Sequence, residues 1–243
     1  MEMQLEAERW NAGEFEKKIE GIKPAVAVFD CDGTLWAIDS GVGFMEWSIE
    51  RGLVSRSTSD WIDTRYRGYR VGDVSELQIC GEMVQIYAGL REDELRRAAA
   101  EYVREFVLPV VFPEMERLVA GLRESGVELW AVSSTNKWVV AEGVRQFGIP
   151  ENRVLAAEAA VENGVITSEL VDVPTGEGKA EALKRVGLAR PDAVFGNSIH
   201  DLAMLEMAAH PFAVNPTVEL LETITSRGWG YFQPRHASSS ELK

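Results

Sequence analysis

Apolar residues along this chain fall into short continuous runs, separated by stretches in which they recur every three or four positions. That is the alternation of doubly covered strands with amphipathic helices. The run Ala25-Val26-Ala27-Val28-Phe29, behind Pro24, predicts a buried strand that stops at Asp30-Cys31-Asp32-Gly33-Thr34. Further strands are predicted over Val127 to Val132, Ala193 to Phe195 and Phe212 to Val214. Between and after them, helices are predicted over Glu114 to Ser125 with Gly126 as its stop, from Lys137 onward behind Ser133-Ser134-Thr135-Asn136, and over Gly178 to Val186, His200 to Ala208 and Thr217 to Ser226. Val154 to Ala160 and Val165 to Leu170 flank Asn163-Gly164, the signature of a two-residue hairpin and thus of a short antiparallel flap.

Two segments stand outside this alternation. Leu5, Trp10, Phe15 and Ile19 recur at helical intervals among charges, which predicts a surface helix with one face on the body. From about Gly41 to Phe106 the pattern is helical throughout and holds most of the tryptophan and tyrosine, so it reads as an insertion. The fold expected is α/β: a Rossmann-like, doubly wound parallel sheet with an inserted α-helical cap. Residues 1–38 and 110–243 would form the core, and 39–109 the cap. The tail Ala237-Ser238-Ser239-Ser240-Glu241 is polar enough to be expected disordered.

Composition narrows the partners. The 243 residues suffice for one catalytic body and one insertion, and 25 Lys and Arg against 39 Asp and Glu give a net charge of -14. Such a surface repels nucleic acid and anionic membranes, so neither is an expected partner. No apolar run reaches the roughly 18–20 residues that span a bilayer, and the acidic first residues lack the pattern of a signal peptide. Cys31 and Cys80 are too few for a disulfide framework, and no metal-ligand spacing joins them to the three histidines. A reduced, cytoplasmic setting is expected, with the protein a monomer or homodimer.

Ligands of open parallel sheets bind at the carboxyl ends of the strands, and the polar residues expected there form one set. Asp30, Asp32 and Thr34 follow the first apolar run, Ser133 and Ser134 the second, and Gly196-Asn197-Ser198-Ile199-His200-Asp201 the third, while Lys179 opens a helix. Taken singly, these are ordinary turn, cap and surface residues. Cys31 is expected to point away from its neighbours into the core, and His200, His210 and His236 to be capping, structural or exposed.

In this order, Asp30-Cys31-Asp32-Gly33-Thr34-Leu35, Ser133, Lys179 and Gly196-Asn197-Ser198 through Asp201 resemble the motifs of the haloacid dehalogenase superfamily, specifically its phosphoserine-phosphatase-like branch, over about residues 24–226. The resemblance implies a Mg²⁺-dependent phosphatase of small phosphomonoesters. Asp30 would be the nucleophile that becomes an aspartyl phosphate, and Asp32 the acid and base. Thr34 and Ser133 would hydrogen-bond the phosphoryl oxygens and Lys179 neutralise them. Mg²⁺ would sit on the Asp30 carboxylate, the Asp32 carbonyl and Asn197, with Asp201 holding a metal-bound water or Asn197 itself. Asn197 stands where the family has Asp, so weakened metal binding is expected. Dehalogenases of the superfamily lack a carboxylate at the position of Asp32, which favours phosphate esters.

The cap would choose the leaving group. Asp39 occupies the place of the glutamate that holds the substrate amino group in phosphoserine phosphatases, and Ser134, Trp36 and Trp47 are further candidate substrate contacts. Trp36, Phe44, Trp47, Trp61, Tyr66, Tyr69 and Tyr87 form an aromatic-rich set that either lines the entrance or packs the cap. No arginine lies between Val71 and Leu90 to hold a substrate carboxylate, although Arg65, Arg67 and Arg70 precede that stretch. The substrate class implied is an amino- or ammonium-alcohol phosphate. The alternatives are phosphoserine, a phosphotransferase passing the group to another acceptor, and a non-catalytic phosphate-binding scaffold.

Overall fold

A computed structural model describes residues 7–235. The eight strands among them are β1 (Arg9–Trp10), β2 (Val26–Phe29), β3 (Glu128–Asn136), β4 (Val154–Glu162), β5 (Val165–Asp172), β6 (Ala193–Gly196), β7 (His210–Val214) and β8 (Tyr231–Phe232). They form one sheet in the order β1-β8-β7-β6-β2-β3-β4-β5, in which only the β4–β5 pairing is antiparallel. From β2 the chain winds outward through β3, β4 and β5, then crosses back to β6 on the other side of β2. The carboxyl end of β2 is therefore the point where the winding reverses, and a crevice opens there.

Both faces of the sheet are covered, which is why its strands are continuously apolar. Phe29, Phe195 and Phe212 stack in series, with centroids 4.5 and 5.0 Å apart, and Phe15 of α1 (Ala12–Ile22) meets Phe195 and Phe212 edge-on. Each such pair contributes about 0.5–1.5 kcal/mol beyond the area it buries. On the opposite face Val28, Val132 and Val194 pack with Leu183, Met204, Leu205, Leu220 and Ile224. These come from α8 (Glu177–Arg185), α9 (Leu202–Met207) and α10 (Val218–Arg227).

Between β2 and β3 lie α2 (Ser40–Glu50), α3 (Arg56–Arg70), α4 (Glu76–Gln85), α5 (Glu92–Tyr102), a π-helical turn (Val103–Val107) and α6 (Pro113–Glu124). Their starts are written in the chain: Asp39, Ser55 and Ser75 accept hydrogen bonds from the first-turn amides of α2, α3 and α4. After β3 comes α7 (Lys137–Arg145), capped by Asn136.

Two expectations change. The N-terminal helix starts at Ala12, not ahead of Trp10, because Asn11 and Glu14 form a reciprocal capping box. Trp10 instead lies in β1 and pairs with Phe232 of β8, an edge the alternation did not anticipate. Leu5, His236 and the 237–241 tail lie outside the described residues. The hairpin at Asn163-Gly164, where φ is 52° and 76°, turns as expected, but its strands are longer and β4 also belongs to the main sheet.

Candidate active site

At the reversal point the backbone amide of Asp30 donates to Phe195 O at 2.9 Å, which clamps the end of β2 against β6. Asp30 is 4% exposed and its carboxylate has two partners: Lys179 Nζ donates to Oδ1 at 2.7 Å and Thr34 Oγ1 to Oδ2 at 2.8 Å. Lys179 also donates to Asp201 Oδ1 at 2.5 Å. One ammonium thus serves two buried carboxylates. Burial and the Asp201 charge together push the Asp30 carboxyl up to about 7, against the pull of Lys179. Burial works against the Lys179 ammonium, but Asp201 and Asp30 outweigh it and raise its pKa, so it stays charged.

Asp201 is wholly buried, and its second oxygen fixes the loop after β6 by accepting from the amides of Asn197 at 2.8 Å and Ser198 at 2.9 Å. Asn197 is held from the other side as well, its carbonyl accepting from Thr217 N at 2.8 Å. Its side chain lies over Gly33, where φ is 76° and an added Cβ would fall 2.0 Å from Asn197 Nδ2. Glycine is required at this point of the first motif on both counts. The Asp32 carboxylate takes four hydrogen bonds: from Trp36 Nε1, Ser40 N and Ser40 Oγ on Oδ1, and from Thr135 Oγ1 on Oδ2.

These groups meet at a cavity of about 350 Å³. Asp30, Asp32, Ser133, Ser134, Lys179 and Asn197 line its floor. Its upper wall comes from the inserted helices: Asp39, Tyr66, Tyr69, Glu76 and Cys80. Asp39 is open to the cavity but enclosed by protein on its other sides; this enclosure and the Asp32 charge push its carboxyl up to about 6. Glu76 joins the wall to the floor, accepting from Thr175 Oγ1 at 2.7 Å and pairing with His200 Nε2.

Several placements correct the sequence reading. Trp36 is 0% exposed and turned inward onto Asp32, so it is no substrate contact. Trp47 packs with Phe44 and Tyr102 among the inserted helices, beneath the half-exposed guanidinium of Arg51, and it too is absent from the cavity. Of the seven rings singled out, only Tyr66 and Tyr69 line the cavity. Thr34 is 0% exposed, spends its hydroxyl on the Asp30 carboxylate and does not line the cavity, where the sequence reading expected it to reach a phosphoryl group. Cys31 is buried, as its alternation required, and burial followed by the neighbouring aspartates pushes its thiol well up. Thr135 was read only as part of the helix-capping run 133–136, and Ser40, Glu76 and the His200 pairing were not singled out.

Comparison with known proteins fits this arrangement. The model of the haloacid dehalogenase-like hydrolases matches residues 27–206. The chain belongs to that family. A histidinol-phosphatase of Neisseria meningitidis is 26% identical over 214 residues, covering 84% of this chain and 96% of the relative. A probable phosphatase of Mycobacterium tuberculosis is 27% identical over 213 residues, covering 84% and 73%. Among solved structures, a Bordetella pertussis protein of unknown function superposes with a TM-score of 0.76 at 23% identity, over 85% of this chain and 97% of that one. A substrate-bound phosphoserine phosphatase superposes with 0.59 at 15% identity, over 88% and 94%, which extends the likeness in fold to that branch. Family membership makes the chain a hydrolase, and its curated phosphatase relatives are consistent with phosphoric monoester hydrolysis. No helix among the described residues is long and apolar enough to cross a membrane.

The donor set also bears on the metal this family uses. No group of three or more His, Cys, Asp or Glu side chains converges for an ion among the described residues. A site here must therefore include neutral oxygens, and the Asp32 carbonyl and the Asn197 amide supply that class of donor. Two buried carboxylates facing one ammonium leave a negative charge uncompensated, and all the candidate donors are hard oxygens. The residues fit a hard divalent cation such as Mg²⁺.

Proposed function

We propose that the protein is a Mg²⁺-assisted phosphatase of small amino- or ammonium-alcohol phosphates, working through an aspartyl phosphate on Asp30. The observation that carries the chemistry is the position of Asp30: buried, bound to Lys179 and Thr34, and opening on the cavity that Asp32 also lines. Thr34 and Lys179 hold its carboxylate to one orientation, so attack on phosphorus needs little reorganisation. Asp32 protonates the leaving oxygen and then takes a proton from the water that cleaves the acyl phosphate. Ser133 and Lys179 face the phosphoryl oxygens. Asp30, the Asp32 carbonyl and Asn197 would hold Mg²⁺, with Asp201 fixing Asn197 through its backbone. When bound, the ion screens the repulsion between the anionic nucleophile and the phosphate.

The upper wall supports the choice of leaving group. Lys179 is the only lysine or arginine among the described residues lining the cavity, and it lies on the phosphate side. Arg65 pairs with Glu82 and Arg67 with Asp63, and none of Arg65, Arg67 and Arg70 lines the cavity to meet a substrate carboxylate. Asp39, Glu76, Tyr66 and Tyr69 offer carboxylates and ring faces, which suit a cationic nitrogen. Histidinol phosphate, named in the relative from Neisseria meningitidis, is an amino-alcohol phosphate and the first candidate. In this reading residues 39–109 act as the cap over the core of 1–38 and 110–243.

A panel of histidinol phosphate, phosphoethanolamine, phosphocholine and phosphoserine with added Mg²⁺ tests the proposal, with Asp30→Asn as the control. Phosphate release from the first three above phosphoserine is expected. Preference for phosphoserine rejects the substrate class, and full turnover by Asp30→Asn rejects the mechanism. Product analysis with added alcohols separates hydrolysis from transfer to another acceptor.

A further inference from the structure

The two oxygens of Asp32 are not equivalent. Oδ1 receives Trp36 Nε1 at 2.6 Å, Ser40 N at 2.8 Å and Ser40 Oγ at 2.6 Å. An indole N–H and a backbone N–H can only donate, so this oxygen has no lone pair left for a proton. Oδ2 receives one bond, from Thr135 Oγ1 at 2.7 Å, and keeps a lone pair free. The surroundings agree with this count. Trp36 and Ser40 are 0% exposed and lie outside the cavity lining, whereas Thr135 lines the cavity with Asp32.

We propose that Oδ2 of Asp32 is the oxygen that gives and takes the catalytic proton, and that Thr135 is its positioning residue. The inference rests on Asp32 being the acid and base of the proposed reaction. As Asp30 Oδ bonds to phosphorus and the bond to the leaving oxygen breaks, the proton on Oδ2 passes to that oxygen. Asp32 is left as a carboxylate, with Thr135 donating to Oδ2 and stabilising the charge as it forms. The water that then attacks phosphorus returns a proton to the same lone pair, and Asp30 is released. Three donors pin Oδ1, and the Thr135 hydroxyl occupies one side of Oδ2, so the remaining lone pair is directed by the protein. Gly41 makes room for this: a Cβ there would fall 2.6 Å from Thr135 Oγ1.

The test compares kcat/KM for phenyl phosphate and 4-nitrophenyl phosphate, substrates of similar shape whose leaving groups differ in their need for a proton. Thr135→Val is expected to lower kcat/KM on phenyl phosphate by ~10–100-fold, within the range of general acid catalysis, and on 4-nitrophenyl phosphate by ~3-fold or less. Thr135→Ser restores the ratio; Thr135→Ala, which adds no methyl against Gly41, repeats the loss if the Val variant does not fold. A merely structural role lowers both substrates together, and that outcome overturns the inference. A ratio moved by Asp32→Asn but not by removal of the Thr135 hydroxyl overturns it too, leaving the role of Asp32 standing. A ratio that Asp32→Asn leaves unchanged removes Asp32 as the acid, and the inference with it.

Discussion

Lys179 Nζ lies 2.7 Å from Asp30 Oδ1 with both side chains almost wholly buried, and the same ammonium reaches Asp201. Neither carboxyl group has another cation within ion-pairing distance among the described residues, so Lys179 is the one positive charge that faces both at the base of the cavity. Lys179→Met removes that charge and strands two buried carboxylates. A loss of about 3–5 kcal/mol of stability is expected, along with loss of phosphatase activity. The double variant Lys179→Met/Asp201→Asn, with one carboxylate fewer to strand, is expected to recover part of the stability and none of the activity. Chemical denaturation of the three proteins checks this; equal stability for wild type and Lys179→Met would remove the ammonium from its structural role.

Gly33 makes a sharper geometric claim. Its backbone lies at φ 76°, and a Cβ would meet the Asn197 side chain at 2.0 Å. Gly33→Ala therefore combines a left-handed backbone penalty of about 1 kcal/mol or more with displacement of a proposed metal ligand. The expected result is a modest drop in melting temperature and a large loss of Mg²⁺-supported turnover, read by thermal melts beside activity assays. Unchanged turnover would mean that Asn197 does not need its present position.

How much of this was legible depends on the residue. Asp30, Asp32, Lys179 and Asn197 were legible because strand ends, glycine and charge announce themselves in sequence order, and the α/β alternation places them at one edge. The fates of Trp36 and Trp47 were not: an aromatic ring suits a pocket wall and a core alike, and only packing decides between them. Thr34 could be seen as a site hydroxyl, but whether it faces the cavity or the Asp30 carboxylate is a matter of side-chain direction. Thr135 and Glu76 were hidden for another reason. Their partners, Asp32 and His200, are 103 and 124 residues away, and no local pattern reports a contact of that range. Trp10 went astray because Asn11 is a strong cap, and a cap ends helical phase however well the apolar spacing runs through it.

The Glu76–His200 pair gives a pH-dependent tie between α4 and the loop after β6. The hydrogen bond to Glu76 raises the His200 pKa, against desolvation, with Asp201 adding to the rise and Lys179 opposing it. Because the folded pKa lies above the unfolded value of about 6.5, the pair contributes its full stability below that pH and loses it as pH climbs through the raised value. The imidazole is 43% exposed, so solvent screening limits the contribution to about 1 kcal/mol or less. Glu76→Gln is expected to lower the melting temperature of metal-free protein at pH 6 and to have little effect near pH 9. A difference that grows with pH would reverse the assignment.

In the proposed site, Asn197 would set the strength of metal binding. An amide oxygen coordinates a hard cation but contributes no formal charge, so the electrostatic attraction falls on Asp30, whose own carboxylate already shares Lys179 with Asp201. Weak Mg²⁺ binding is expected, with activity lost on EDTA treatment and restored by excess Mg²⁺. Asn197→Asp changes one nitrogen to oxygen at nearly constant volume, and its backbone anchors to Asp201 and Thr217 remain. Restoring the negative charge should tighten Mg²⁺ by roughly tenfold or more, the scale on which ligand-shell changes alter metal affinity. Isothermal titration calorimetry reads this directly, independent of turnover. Tight binding by the wild-type protein that the substitution leaves unaltered would place the ion on other ligands.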